Sequence, residues 1–106
     1  MGFFDLFKRA DIDQGVKECI GKSRAILVDV RMPQEYRQGH IPGSRNVPLQ
    51  TIDKISALTD NKDTPLYVYC HSGARSRQAA GMLRHLGYTC VNDIGGIVDY
   101  SGKVEQ

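Results

Sequence analysis

"LYVYCHSGARSRQAA", residues 66–80, decides the fold. Leu66 through Tyr69 read as a short buried strand that ends at Cys70. A tight polar loop follows. A helix is expected over 75–87, with Ala79, Met82, Leu83 and Leu86 facing inward and Gly87 as its stop. A strand that feeds through a short loop into a helix is part of a parallel βα arrangement.

The flanking sequence continues the alternation. "RAILVDV" (24–30) is a continuous apolar run, as expected of a central parallel strand covered on both faces. Before it, "DQGVKECIG" forms a short helix with Asp13 as N-cap, Gly21 as stop and Val16, Cys19 and Ile20 on its inner face. After it, "MPQEYRQG" forms a short helix with Pro33 in its first turn and Gly39 closing it. "HIPGSRNVPL" is a structured loop with a two-residue strand at Asn46 and Val47. "QTIDKISALT" is amphipathic, with Ile52, Ile55 and Leu58 on one face. "TDNKDTP" is a turn, "YTCVNDI" the last strand, "GG" a turn and "IVDYSGK" a final helical turn. Strands alternating with helices imply an α/β domain, a mainly parallel central sheet with helices on both faces. Ligands of such sheets sit at the C-terminal ends of the strands. Two polar points lie there: Asp29 with Arg31, and the loop after Cys70.

The whole chain has 106 residues, enough for one compact domain and too few for two. Its 41% apolar and 25% charged residues suit a folded globular protein. A net charge of +2, with scattered Lys and Arg, offers no nucleic-acid surface. Cys19, Cys70 and Cys90 are odd in number and widely spaced, which argues against a disulfide framework and a zinc site. Free thiols fit a reducing cytoplasm. The start, "MGFFDLFKRADID", lacks the charged and long apolar regions of a signal peptide, and no run is long enough for a membrane span. Gly2 is not followed by the Ser or Thr at position 6 that myristoylation requires. Phe3, Phe4, Leu6 and Phe7 are expected to strap onto the domain or fray, rather than to touch a membrane or a partner.

The strand–loop–helix junction carries the chemistry. Such a loop turns successive backbone N–H groups toward one point, and the helix adds its own unpaired N–H groups and dipole. Gly73 allows a backbone conformation that other residues resist. Arg75 adds positive charge and Ser76 can cap the helix. A cysteine at the mouth is then a thiolate nucleophile. Two enzyme classes use this design: one forms a cysteinyl phosphate, the other a cysteinyl persulfide. A phosphate-binding loop needs five residues between Cys and Arg. Here four intervene, His71, Ser72, Gly73 and Ala74, a ring that suits a single sulfur atom. Arg77 would leave six, which is too long.

Four stretches in this order, "LVDVR" (27–31), "GHIPGSRNVP" (39–48), "YCHSGARS" (69–76) and "IGG" (94–96), resemble those of a single-domain rhodanese, a sulfurtransferase. The resemblance frames about Ile12 to Tyr100, which makes 11–106 one rhodanese-like domain and leaves residues 1–10 outside it as an apolar stub. It implies that Cys70 bears the persulfide and that His71, Ser72, Gly73, Ala74 and Arg75 form the loop around it. It implies that Asp29 and Arg31 support that loop and that His40 is structural. Many members carry a tryptophan after the double glycine; this chain has none, and Tyr100 is the nearest aromatic residue.

The expected reaction takes sulfane sulfur from thiosulfate or a low-molecular-weight persulfide and passes it to cyanide, a thiol or a partner protein, with no metal or cofactor. Other roles compete at individual residues. His71 is a base or, by preference, a lining of the mouth that sets donor preference. Arg75 either faces the anion or forms a salt bridge behind the loop. Arg77 faces solvent or steers an anionic donor, and His85 is solvated. Cys19 and Cys90 pack rather than react. A non-catalytic interaction module is the alternative for the whole domain, and a cysteine phosphatase or arsenate reductase ranks below it because of the short loop.

Overall fold

A computed structural model describes residues 10–106. The expectation for the N-terminal stub falls on residues 1–9, outside the described residues, apart from Ala10. In chain order the elements are α1 (Ile12–Gly21), β1 (Ile26–Asp29), α2 (Pro33–Gln38), β2 (Arg45–Asn46), a 3-10 helix (Leu49–Ala57), β3 (Leu66–Cys70), α3 (Ala74–His85), β4 (Val91–Gly96) and a 3-10 turn (Ile97–Asp99). The four strands form one parallel sheet in the order β2-β1-β3-β4. This is the expected α/β architecture, with its two apolar strands β1 and β3 at the centre.

Alternation along β3 divides the core in two. Leu66, Val68 and Cys70 face a layer with Ile52 and Ile55 of the 3-10 helix and Ala79 and Leu83 of α3. Tyr67 and Tyr69 face Ile12, Val16 and Cys19 of α1, together with Leu27, Ile41 and Ile94. With both faces of the sheet covered, all five residues of β3 are buried.

Several local expectations are corrected. The N-cap of α1 is Asp11, which accepts the Gln14 N–H at 3.2 Å. Asp13 instead holds the C-terminal segment, accepting the Ser101 N–H at 2.9 Å and its hydroxyl at 2.6 Å. Ile20 is 77% exposed because the inner stripe of α1 runs through Ile12, Val16 and Cys19 and turns away from it. Met82 and Leu86 are also exposed, since they sit at the edge of α3 where it meets the 3-10 helix. The short strand comprises Arg45 and Asn46 rather than Asn46 and Val47.

The double glycine is not a turn. It ends β4, where Gly95 and Gly96 pair with Tyr69 and Cys70 after a register shift between Val68 and Tyr69. Gly95 has φ +101°, which lets the strand bulge without strain on a side chain. A Cβ on Gly96 would lie 2.6 Å from Ser72 Cα, so only glycine allows β4 to pass this close behind the Cys70 loop.

Candidate active site

The C-terminal ends of β1 and β3 lie side by side, because the register pairs Asp29 with Tyr69. Asp29 is fully buried and Arg31 nearly so. Arg31 Nη2 donates to Asp29 Oδ2 at 2.7 Å, and Nε donates to Oδ1 and Oδ2 at 3.0 and 3.1 Å. Asp29 Oδ1 also accepts the Arg31 N–H at 2.9 Å. Arg31 Nη2 donates again, to the Gly39 carbonyl at 2.7 Å, and Asn46 Nδ2 donates to the carbonyls of Asp29 and Arg31. A buried ion pair persists when its remaining hydrogen-bonding capacity is met in this way. The pair ties β1, β2 and the chain at Gly39 into one block.

His40 belongs to the same frame. Its ring stacks on Tyr36 with centroids 3.7 Å apart, and Nδ1 lies 2.8 Å from the Tyr36 carbonyl. Its backbone pairs with Glu105 in an isolated antiparallel bridge. Tyr69 closes the frame from β3: its hydroxyl accepts the Ile41 N–H at 3.0 Å and donates to Ser44 Oγ at 3.1 Å.

Cys70 is 1% exposed at the last position of β3. Its Sγ accepts the Gly73 N–H at 3.0 Å. Gly73 is the N-cap of α3 with φ +105°, the left-handed region that glycine enters freely. The chain therefore folds back on the sulfur within three residues and starts a 12-residue helix there. The positive end of the α3 dipole thus lies at the C-terminal end of β3. His71 and Ser72 are exposed at the tip, and the His71 carbonyl accepts the Val98 N–H at 3.1 Å.

Ala74 and Arg75 are already in the first turn of α3, so the loop proper is shorter than the five residues expected. Ser76 is not the cap. It is fully buried in that turn, and its hydroxyl lies 2.7 Å from Asp93 Oδ1, 3.0 Å from the Gly73 carbonyl and 3.3 Å from the Gly95 carbonyl. Its one proton goes to one acceptor at a time, and the carboxylate is the nearest and strongest. Asp93 Oδ1 also accepts the Gly95 N–H at 3.1 Å, which joins α3 to the bulge.

Arg75 takes the salt-bridge alternative. Its Nη1 and Nη2 donate to Glu35 Oε1 and Oε2 of α2 at 2.7 and 2.9 Å. The guanidinium beside Glu35 holds that carboxyl down to about 2, against partial burial and with help from the Met32 N–H. The fork of Arg75 is occupied by Glu35, and among the described residues the hydrogen bond to the sulfur comes from the Gly73 N–H.

A cleft of about 450 Å³ opens beside the loop, lined by Arg31, Glu35, Gln38, His71, Ile97 and Val104 among others. His71 thus lies at the mouth. Tyr100 packs on the α1 side of the sheet, and Ile97 and Val104 form the wall instead. His85 and Arg77 are exposed. Cys19 is buried, which pushes its thiol up to about 11, and Cys90 is half-buried just before β4. Among the described residues no group of three His, Cys, Asp or Glu side chains is placed to hold a metal ion. Nor is any described helix long and apolar enough to cross a membrane.

Sequence reasoning missed Glu35 and Asp93 as members of the site. Each is an ordinary acidic residue in its own segment. Glu35 meets Arg75 across 40 positions and Asp93 meets Ser76 across 17.

A model of the rhodanese-like domain matches residues 13–103. The thiosulfate sulfurtransferase PspE of Escherichia coli (strain K12) is 38% identical over 73 residues, 68% of this chain and 70% of PspE. The tRNA uridine(34) hydroxylase of Erwinia tasmaniensis is 30% identical over 97 residues, 86% of this chain but 28% of that protein. Among solved structures, a rhodanese with anions from E. coli matches with a TM-score of 0.73 at 34% identity, over 77% of this chain and 98% of that one.

Proposed function

Because this chain belongs to the rhodanese-like family, we propose that it is a sulfurtransferase acting through a Cys70 persulfide. The observation that carries the reading is the placement of Cys70 Sγ at the end of β3, 3.0 Å from the Gly73 amide at the start of α3. The thiolate attacks the outer sulfur of thiosulfate or of a persulfide. The S–S bond of the donor breaks, and its electron pair leaves with sulfite or with the donor thiolate. The outer sulfur stays as Cys70–S–S⁻, held by backbone N–H groups and by the dipole of α3. An acceptor nucleophile (cyanide, a thiol or a protein cysteine) then takes that sulfur and restores the thiolate. Neither a metal nor an organic cofactor enters this sequence.

In this reading His71 and Ser72 form the mouth, and Gly73 and Ala74 supply the turn and the helix start. Asp29 and Arg31 brace the loop from β1; Arg75 with Glu35, and Ser76 with Asp93, brace it from the other side. Residues 11–106 act as one domain. Free Cys19, Cys70 and Cys90 suit a reducing compartment such as the cytoplasm.

The test is the intact mass of the protein before and after thiosulfate, beside Cys70→Ser. A gain of one sulfur on the wild type, lost on addition of cyanide and absent from the variant, supports the proposal. No gain from thiosulfate or from any persulfide, in folded protein with reduced Cys70, favours a non-catalytic interaction module.

A further inference from the structure

Resting on the sulfurtransferase reading, we infer that the cleft beside the Cys70 loop selects an organic persulfide donor whose alkyl part carries no anionic group over a small oxyanion such as thiosulfate. The charges are the first reason. Both guanidinium groups next to the loop are closed on carboxylates: Arg31 on Asp29 at 2.7 Å and Arg75 on Glu35 at 2.7 and 2.9 Å. A bidentate pair presents little net charge to an incoming ion. Arg77, exposed on the first turn of α3, is not among the residues that line the cleft.

Of the two charged residues that do line it, Arg31 is 7% exposed at its side chain and Glu35 is 33% exposed. Both are closed on partners, so the lining of the cleft presents little net charge to an entering ligand.

The walls are the second reason. Ile97 and Val104 line the cleft, and Val104 is 52% exposed. Val98 (60% exposed) is bonded through its N–H to the His71 carbonyl, and exposed Met32 directly follows Arg31. Ile97 and Val104 thus give the cleft an apolar wall. Alkyl carbons next to the transferred sulfur gain from leaving water against it, and a strongly hydrated oxyanion does not. The backbone cradle keeps its role, since the anion it holds is the outer sulfur of the enzyme persulfide.

The step balances without a further reactant. Cys70–S⁻ attacks the outer sulfur of R–S–SH, the S–S bond of the donor breaks, and R–S⁻ leaves with its electron pair. The proton on the transferred sulfur passes to R–S⁻, giving Cys70–S–S⁻ and R–SH.

The experiment compares kcat/KM of the full chain for the persulfides of N-acetylcysteine and of its methyl ester, which differ by one carboxylate, with thiosulfate as third donor. Each value is normalised to the uncatalysed reaction of that donor with a free thiol. The ester is expected to exceed the acid by about five- to tenfold, and thiosulfate to come last. Gln38→Lys and Val104→Lys, both at exposed positions, are expected to raise the acid and thiosulfate several-fold and to lower the ester. An uncharged cysteine-containing peptide persulfide separates a free carrier from a protein cysteine. Either order of peptide and ester supports the proposal and names the source. Equal rates for acid and ester, thiosulfate as the best normalised donor, or a ratio unmoved by both lysines would overturn the selection alone. No transfer from any donor would overturn it together with the reading beneath it.

Discussion

Two arginine–carboxylate pairs flank the Cys70 loop, and they differ in almost every physical respect. Asp29 and Arg31 are two residues apart at the end of one strand, almost wholly buried, and their side chains are further bonded to two backbone groups, the Arg31 N–H and the Gly39 carbonyl. Glu35 and Arg75 come from different helices, 40 positions apart, and each side chain is about a third exposed. The first pair is part of the core and carries a cost if either partner is lost. The second is a latch between α2 and the first turn of α3, and water can replace much of what it supplies. The loop between them is shaped by glycine and backbone, and both guanidinium groups beside it are occupied by carboxylates.

The largest expected effect comes from breaking the buried pair. Asp29→Ala leaves Arg31 charged and unmatched in the core, and stability is expected to fall by about 3–5 kcal/mol. Urea unfolding measures this, and a loss below about 1 kcal/mol would mean that the pair is no more embedded than the latch.

Gly96→Ala leaves both pairs in place and disturbs only the floor of the loop. The added Cβ meets Ser72 Cα at 2.6 Å, so the loop must shift. Sulfur transfer is expected to fall about 100-fold with the far-UV circular dichroism spectrum retained. Near-normal transfer would show that the exact path of the loop is not what positions the sulfur.

Glu35→Gln opens the latch. The denaturation midpoint should move by the equivalent of less than about 1 kcal/mol. A loss as large as that of Asp29→Ala would erase the contrast between the pairs.

The smallest effect is a pH dependence of that same latch. The folded carboxyl of Glu35 lies at about 2 against an ordinary value of 4.5. Between those values the unfolded chain binds the extra proton, so the contribution of the pair is complete above 4.5 and lost as pH falls toward about 2. The stability gap between wild type and Glu35→Gln should be level above about pH 5 and close on acidification. A gap that widens in acid would contradict the assigned pairing.

The loop itself was readable because its determinants are adjacent in the chain. The apolar run 66–69, Cys70, Gly73 and the start of a helix follow one another, and backbone stereochemistry links them locally. Asp29 and Arg31 were readable for the same reason, with side chains two positions apart on one face of a strand end. The errors arose where one face of an element had to choose a neighbour. Ile20, Met82 and Leu86 satisfy helical spacing but sit at the margin of the stripe that the sheet covers. The double glycine has the composition of a turn, and only pairing with Tyr69 and Cys70 makes it a bulged strand.

By itself, then, the sequence determined the alternation of strands and helices, the parallel sheet and the position of Cys70 at a strand end, because periodicity and local backbone preference act over a few residues. Only the tertiary structure decided what each charge touches. It closed Arg75 on Glu35, aimed Ser76 at Asp93 rather than at a cap, and set Ile97 and Val104 beside the loop. Those contacts join segments far apart in the chain, and their geometry exists only after the sheet and its two helical layers have packed.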